Sequence, residues 1–168
     1  MGADITLVLG GASSGKSDLA EKLCLISERP RTYIATAQAF DDEMRFKIAQ
    51  HQTDRGTQWT TIEAPFDAAD RLNTIPSGQI VLLDCATLWL TNHLLADHDI
   101  TAHTDALLLA LSRCASPVVI VSNEVGQGIV PENKLARQFR NEQGRLNRRL
   151  AAQAHCVVGV MAGLPFAL

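Results

Sequence analysis

Gly10-Gly11-Ala12-Ser13-Ser14-Gly15-Lys16-Ser17 spell G-x-x-x-x-G-K-S, the spacing at which a short loop can grip a polyphosphate. The glycines let the backbone curl so that its N–H groups converge on phosphate oxygens. Lys16 can then reach the β- and γ-phosphates, and the Ser17 hydroxyl supplies a ligand for Mg²⁺. Taken alone the pattern arises by chance, and its plain reading is a glycine turn. The flanks decide between the two. Ile5-Thr6-Leu7-Val8-Leu9 reads as a short buried strand, and Asp18 to Leu25 reads as the first turns of an amphipathic helix. The loop therefore opens a helix, whose N-terminus favours an anion. This arrangement predicts a nucleoside triphosphate site.

Further residues fit the same chemistry less specifically. Ile80-Val81-Leu82-Leu83-Asp84 is an apolar strand ending in a carboxylate. Such a run commonly just begins a turn, but beside a phosphate loop Asp84 becomes the candidate partner of Ser17 on Mg²⁺. His51 follows Met44 and Ile48 at i+7 and i+3 on a helix opened by Asp41, Asp42 and Glu43. It is either a surface histidine on a solvated helix or a nucleophile, since neutral imidazole attacks phosphorus, and spacing alone does not choose. Asn123-Glu124-Val125-Gly126-Gln127-Gly128 follows a buried strand and reads as a tight turn or a binding loop. Lys134, Arg137 and Arg140 on the next helix either meet phosphates or solvate that helix. Leu135 and Phe139 are expected to pack inward. His93, His98 and His103 lie near Asp97 and Asp99, but their spacing matches no closed zinc site, and a polar helix-to-helix connection is expected there.

The elements that must position these residues alternate. Strands are expected at Ile5–Leu9, Thr32–Ala35, Trp59–Ile62, Gln79–Leu83, Val118–Ser122 and His155–Met161. Helices are expected at Ser17–Ser27, Asp41–Arg55, Phe66–Leu72, Thr87–Ala96, Ala102–Cys114 and Asn133–Ala154. Apolar strands alternating with helices predict an α/β fold with a mostly parallel sheet covered on both faces, whose ligands sit at the carboxyl ends of the strands. With 168 residues and no linker or repeat, one domain spanning residues 1–168 is expected. The net charge of −3 carries no polyanion signature, so nucleic acid is not an expected partner. Cys24, Cys85, Cys114 and Cys156 are scattered through apolar or helical stretches and are expected to be buried thiols. No segment reads as a membrane span or a signal peptide, and a cytoplasmic location is expected.

At this point the chain resembles one family, the bifunctional adenosylcobinamide kinase/adenosylcobinamide-phosphate guanylyltransferases of cobalamin biosynthesis. The resemblance runs nearly end to end. It rests on the phosphate loop, Tyr33-Ile34-Ala35-Thr36-Ala37, Asp42-Glu43-Met44 with Ile48 and His51, and Trp59 to Pro65. It continues through Leu83-Asp84-Cys85-Ala86-Thr87-Leu88-Trp89-Leu90-Thr91-Asn92, Ser122 to Gly126, Gly128 to Pro131, Ala136 to Arg140 and the closing Gly163-Leu164-Pro165. The Asn-Glu-Val-Gly loop and the Thr-Leu-Trp-Leu-Thr-Asn run are its specific parts.

The resemblance implies a RecA-like P-loop NTPase fold and two reactions. ATP or GTP phosphorylates adenosylcobinamide. GMP then passes from GTP through a histidine adduct to adenosylcobinamide phosphate, giving adenosylcobinamide-GDP. It casts His51 as that nucleophile, Gln50 standing where some members carry a second histidine. It further implies that guanine nucleotide is held by Ala35, Thr36, Ala37, Gln52, Thr53, Asp54, Arg55 and Glu63, and that the enzyme is a homotrimer. The chain stops at Phe166-Ala167-Leu168, slightly short of a basic end seen in relatives, which is not expected to touch activity. Competing readings are another small-metabolite P-loop kinase, which leaves His51 and the Asn123 loop without a role, and a GTP-hydrolysing binding module.

Overall fold

In a computed structural model, which describes residues 4–38 and 58–168, seven strands form one sheet in the order β3-β2-β4-β5-β1-β6-β7. These are β1 (Ile5–Gly10), β2 (Arg31–Ala35), β3 (Trp59–Glu63), β4 (Ile80–Asp84), β5 (Val118–Asn123), β6 (Cys156–Met161) and β7 (Leu164–Ala167). The helices described are α1 (Lys16–Ile26), α2 (Ala68–Thr74), α3 (Ala86–Leu95), α4 (Ile100–Arg113) and α5 (Lys134–Gln153). All neighbouring strands run parallel except the antiparallel pair β6–β7. Every expected strand is present, with ends displaced by a residue or so. The helix expected over Asp41–Arg55 lies outside the described residues apart from its sequence.

The alternation of side chains along each strand splits the core in two. Ile5, Leu7, Ile34, Val81, Leu83, Val118 and Ile120 face one side, where Leu72, Trp89, Leu90, Leu107, Leu111, Leu146 and Leu150 from α2 to α5 cover them. Val8, Tyr33, Leu82, Val119 and Val121 face the other, against Ala20 and Cys24 of α1. The central strands are apolar throughout because both their faces are covered. Each fully buried leucine among them contributes roughly 1.5–3 kcal/mol.

β7 was not among the expected strands. Its sequence, Leu-Pro-Phe-Ala, is short, and proline belongs only at sheet edges. The turn before it is the missed signal. Ala162 and Gly163 have φ of 51° and 77°, the two-residue mirror-image turn that suits a hairpin. Phe166 lies opposite Gly159, and a Cβ added at Gly159 would come within 2.4 Å of the Phe166 ring, so the glycine makes room for the aromatic.

Two other expectations need correction. Cys24, Cys85 and Cys114 are buried but Cys156 is exposed, because it opens β6, where burial begins only further along the strand. Leu135 is exposed, since it lies in the first turn of α5 before that helix reaches the sheet, while Phe139 does pack against the core. The residues from His93 to His103 connect two helices, as expected, and His93 among them is fully buried and packed on Trp89.

Candidate functional site

The carboxyl ends of the strands align, and strand register puts the candidate residues along one edge. Glu63, Ala35 and Asp84 stand side by side at the ends of β3, β2 and β4. Asp84 pairs with Val121 of β5, and Gly10 pairs with Asn123 on one side and Val160 on the other. The helices α1 and α3 both start at this edge, so two helix N-termini point their positive dipole ends toward it.

The phosphate loop closes between β1 and α1. Gly15, at φ 90°, takes the left-handed conformation that glycine adopts without penalty, and Ser13 is left-handed as well, at φ 54°. The Ser14 amide donates to the Gly11 carbonyl at 3.3 Å, and the Lys16 ammonium donates to the same carbonyl at 3.0 Å. Lys16 is thus a buried cation folded back over the loop. Gly10 has no room for a side chain. A Cβ there would meet Ser14 Oγ at 2.3 Å and the Val160 carbonyl at 2.8 Å. The hairpin between β6 and β7 braces the loop from outside, with the Gly163 amide donating to the Ser14 carbonyl at 2.9 Å. Ser14 Oγ is buried with no hydrogen-bond partner among the described residues.

Asp84 is half-buried, and its Oδ2 accepts from the Tyr33 hydroxyl at 2.9 Å, which orients the carboxylate. The next residue, Cys85, caps α3 by accepting from the Leu88 amide at 3.4 Å. Burial and the adjacent Asp84 charge push the Cys85 thiol up to about 11, against the pull of backbone amides and the Lys16 ammonium. Cys85 is therefore a protonated thiol at neutral pH and no nucleophile.

Thr36 is fully buried and all its polar groups are engaged. Its hydroxyl donates to the Cys85 carbonyl at 2.7 Å and accepts from the Cys85 amide at 2.8 Å. Its amide donates to the Asp84 carbonyl at 3.2 Å, and its carbonyl accepts from Asn92 at 2.8 Å. Thr36 ties the end of β2 to the turn that carries Asp84. Ala35 and Ala37 are half-buried and Glu63 is exposed. His51, Gln52, Thr53, Asp54 and Arg55 lie outside the described residues.

The loop after β5 is anchored at both ends. The Glu124 amide donates to the Gly10 carbonyl at 3.0 Å, and the Asn123 amide donates to Thr87 Oγ1 at 2.8 Å. From α5, Asn147 donates to the Asn123 carbonyl at 3.0 Å and Arg140 donates to the Gly126 carbonyl at 2.7 Å. Arg137 donates to the carbonyls of Pro131 and Glu132. These two arginines shape the loop rather than merely solvate the helix. Sequence reasoning missed the buried trio beneath it: Ser122 donates to Asn147 Oδ1 at 2.6 Å, and Gln143 donates to both. The only available signal was a glutamine at the helical spacing of Phe139, Leu146 and Leu150. Beside Leu9, the residue before the phosphate loop, and Glu124, a cleft of about 780 Å³ is lined by Arg137, Arg140, Arg145 and Arg148, which give it a positive wall.

With this geometry in view, the relatives are informative. A family model described as cobinamide kinase / cobinamide phosphate guanyltransferase matches residues 6–168. The bifunctional adenosylcobalamin biosynthesis protein CobP of Pseudomonas aeruginosa is 43% identical over 165 residues, covering 96% of this chain and 95% of that protein. The corresponding CobU proteins of Escherichia coli and Salmonella typhimurium are 41% and 42% identical, each alignment covering 94% of this chain and 96% of the relative. Among solved structures, a Pyrococcus horikoshii protein, PH0250, superposes with a TM-score of 0.59 at 8% identity, covering 99% of this chain and 86% of that one. The RadB recombinase superposes with a TM-score of 0.51 at 16% identity over 94% and 74%. At such identities these two speak for the fold alone, the RecA-like P-loop architecture.

Proposed function

The chain belongs to the cobinamide kinase / cobinamide phosphate guanyltransferase family, and from that premise we propose that one phosphate loop serves both of its reactions, with His51 as the covalent carrier of GMP. The observation that carries this reading is the single carboxyl edge on which the phosphate loop, Asp84, Glu63 and the Asn123 loop all stand.

In the kinase step the loop amides and Lys16 bind the β- and γ-phosphates of ATP or GTP and stabilise the charge on the transferred group. The oxygen donors Ser17 and Asp84 suit a hard divalent cation, the Asp84 carboxylate being already oriented by Tyr33. Together they would hold Mg²⁺, which would supply positive charge against the phosphates. The hydroxyl of adenosylcobinamide attacks the γ-phosphorus, a P–O bond forms, and the bond to the nucleoside diphosphate breaks.

In the second step the neutral imidazole of His51 attacks the α-phosphorus of GTP, and a P–N bond forms as pyrophosphate leaves. A phosphate oxygen of adenosylcobinamide phosphate then attacks the same phosphorus, breaking the P–N bond and restoring the imidazole. We assign the guanine nucleotide to Ala35, Thr36, Ala37, Gln52, Thr53, Asp54, Arg55 and Glu63, and the Thr36 hydroxyl ties the end of β2 to the turn that carries Asp84. The arginine-lined cleft offers positive charge to the acceptor's phosphate.

The test is a separation of activities. His51→Ala should abolish guanylyl transfer while leaving kinase turnover measurable. Loss of neither activity, or of both with nucleotide binding intact, would contradict it.

A further inference from the structure

At the C-terminal end of α3 the chain gathers three imidazoles that neither reaction uses. His93 lies in the last turn of α3, His98 in the connection and His103 in the first turn of α4. The connection doubles back at Asp97, with φ 57°. The His98 amide donates to the His93 carbonyl at 3.0 Å, and the His103 amide donates to the Asp99 carbonyl at 3.1 Å. The Asp99 carboxylate caps α4 by accepting from the Ala102 amide at 3.0 Å. These bonds turn an i, i+5, i+10 spacing, which no straight helix could converge, into a triangle. One ring nitrogen from each histidine lies within 4.8 Å of the others, and the Nδ1 atoms of His93 and His98 are 2.9 Å apart.

The tautomer of the buried member is set from behind. His93 Nε2 lies 3.2 Å from the Phe66 carbonyl, which can only accept, so Nε2 carries the proton and Nδ1 turns its lone pair toward His98. A carbonyl behind a ligating imidazole is the outer-shell arrangement that orients metal-binding histidines. The rings of Phe66 and Trp89 pack on His93 with centroids at 5.4 and 4.6 Å, fixing it in an apolar wall. A hydrogen bond from His98 to His93 would account for that one pair, but it leaves no role for His103, whose ring centroid lies 4.2 Å from that of His93.

We propose that His93, His98 and His103 bind one divalent transition-metal ion of the zinc class, with solvent in a fourth position. Bond lengths of about 2.0–2.1 Å from Zn²⁺ to imidazole nitrogen place tetrahedral ligand atoms roughly 3.3 Å apart, between the observed 2.9 Å pair and the 4.8 Å limit. The exposed His98 can make the small adjustment. Three imidazoles suit zinc, nickel, copper or cobalt rather than Mg²⁺, which takes oxygen ligands. The site is thus chemically separate from Ser17 and Asp84. It clamps α3 to α4, and α3 carries Thr87 and Asn92, which hold the Asn123 amide and the Thr36 carbonyl.

The experiment uses the full chain free of any affinity tag, stripped with a chelator. Zn²⁺ is titrated against a chromophoric competitor, and Co²⁺ serves as a spectroscopic probe. The expected result is one Zn²⁺ per chain, a visible absorption band typical of four-coordinate Co²⁺, and a zinc-dependent rise in Tm. Affinity should fall at least about 100-fold in His98→Ala and His103→Ala, whose metal-free Tm stays near that of the parent because neither side chain is fully buried. Asp84→Asn should bind zinc as the parent does. Equal zinc affinity in parent and both histidine variants, no stoichiometric binding, or loss of binding in Asp84→Asn alone would each overturn the proposal.

Discussion

In the function proposed above, Lys16 is the residue on which both reactions converge. Its ammonium is already curled over the loop onto the Gly11 carbonyl, where an incoming phosphate would replace that acceptor with a charged one. Lys16→Ala should therefore suppress both half-reactions by roughly 10²–10³-fold, measured as kcat/KM for each; near-normal kinase turnover would remove the loop from the active site. In the same proposal Ser17 and Asp84 act through one ion. Ser17→Ala and Asp84→Asn should each raise the Mg²⁺ concentration for half-maximal rate, and the double variant should fall far short of additivity. An unchanged Mg²⁺ dependence in Asp84→Asn would release that residue from the metal. Thr36 tests positioning against contact. Thr36→Val strands the buried Cys85 amide and should destabilise the fold by about 1–3 kcal/mol in denaturant titration, while Thr36→Ser, which keeps the hydroxyl, should recover most of that loss.

At the scale of elements, the phosphate loop is held by its neighbours as much as by its own glycines. Gly10 is pressed between Ser14 and the Val160 backbone, whereas a Cβ on Gly11 would meet nothing within 4 Å. Gly10→Ala should thus lower stability by about 1–3 kcal/mol, and Gly11→Ala should stay within about 0.5 kcal/mol; equal thermal shifts for the two would contradict the packing described. The loop, α1 and β4 were legible because glycine spacing, helix periodicity and an apolar run ending in Asp84 are local signals. The hairpin brace was not, because Gly163 meets Ser14 only through the fold. The trio of Ser122, Gln143 and Asn147 was hidden for the same reason: a polar side chain on a helix reads as solvated until its buried partner is known. The spacing of the three histidines matches no closed zinc site because their convergence depends on the chain reversal at Asp97, which spacing does not encode.

For the whole molecule, alternation of apolar strands and helices sufficed for a covered parallel sheet, but strand order depends on crossovers that no local pattern encodes. β5 stands between β1 and β4, so the Ser17 and Asp84 ends are brought together across an intervening strand. Ile129, Val130 and Leu135, on the loop after β5 and in the first turn of α5, are exposed apolar side chains. If the homotrimer implied by the sequence resemblance forms, sedimentation should give the mass of three chains, with Ile129→Asp shifting it toward one; a single-chain mass for the parent would contradict it. The central claim, a covalent guanylyl carrier working from the same phosphate loop as the kinase, is tested most directly by incubating the protein with α-labelled GTP and Mg²⁺. The account predicts a stoichiometric adduct on His51, labile in acid and stable in alkali as a phosphoramidate is. No adduct under any Mg²⁺ or pH condition, or an adduct that persists in His51→Ala, would contradict it.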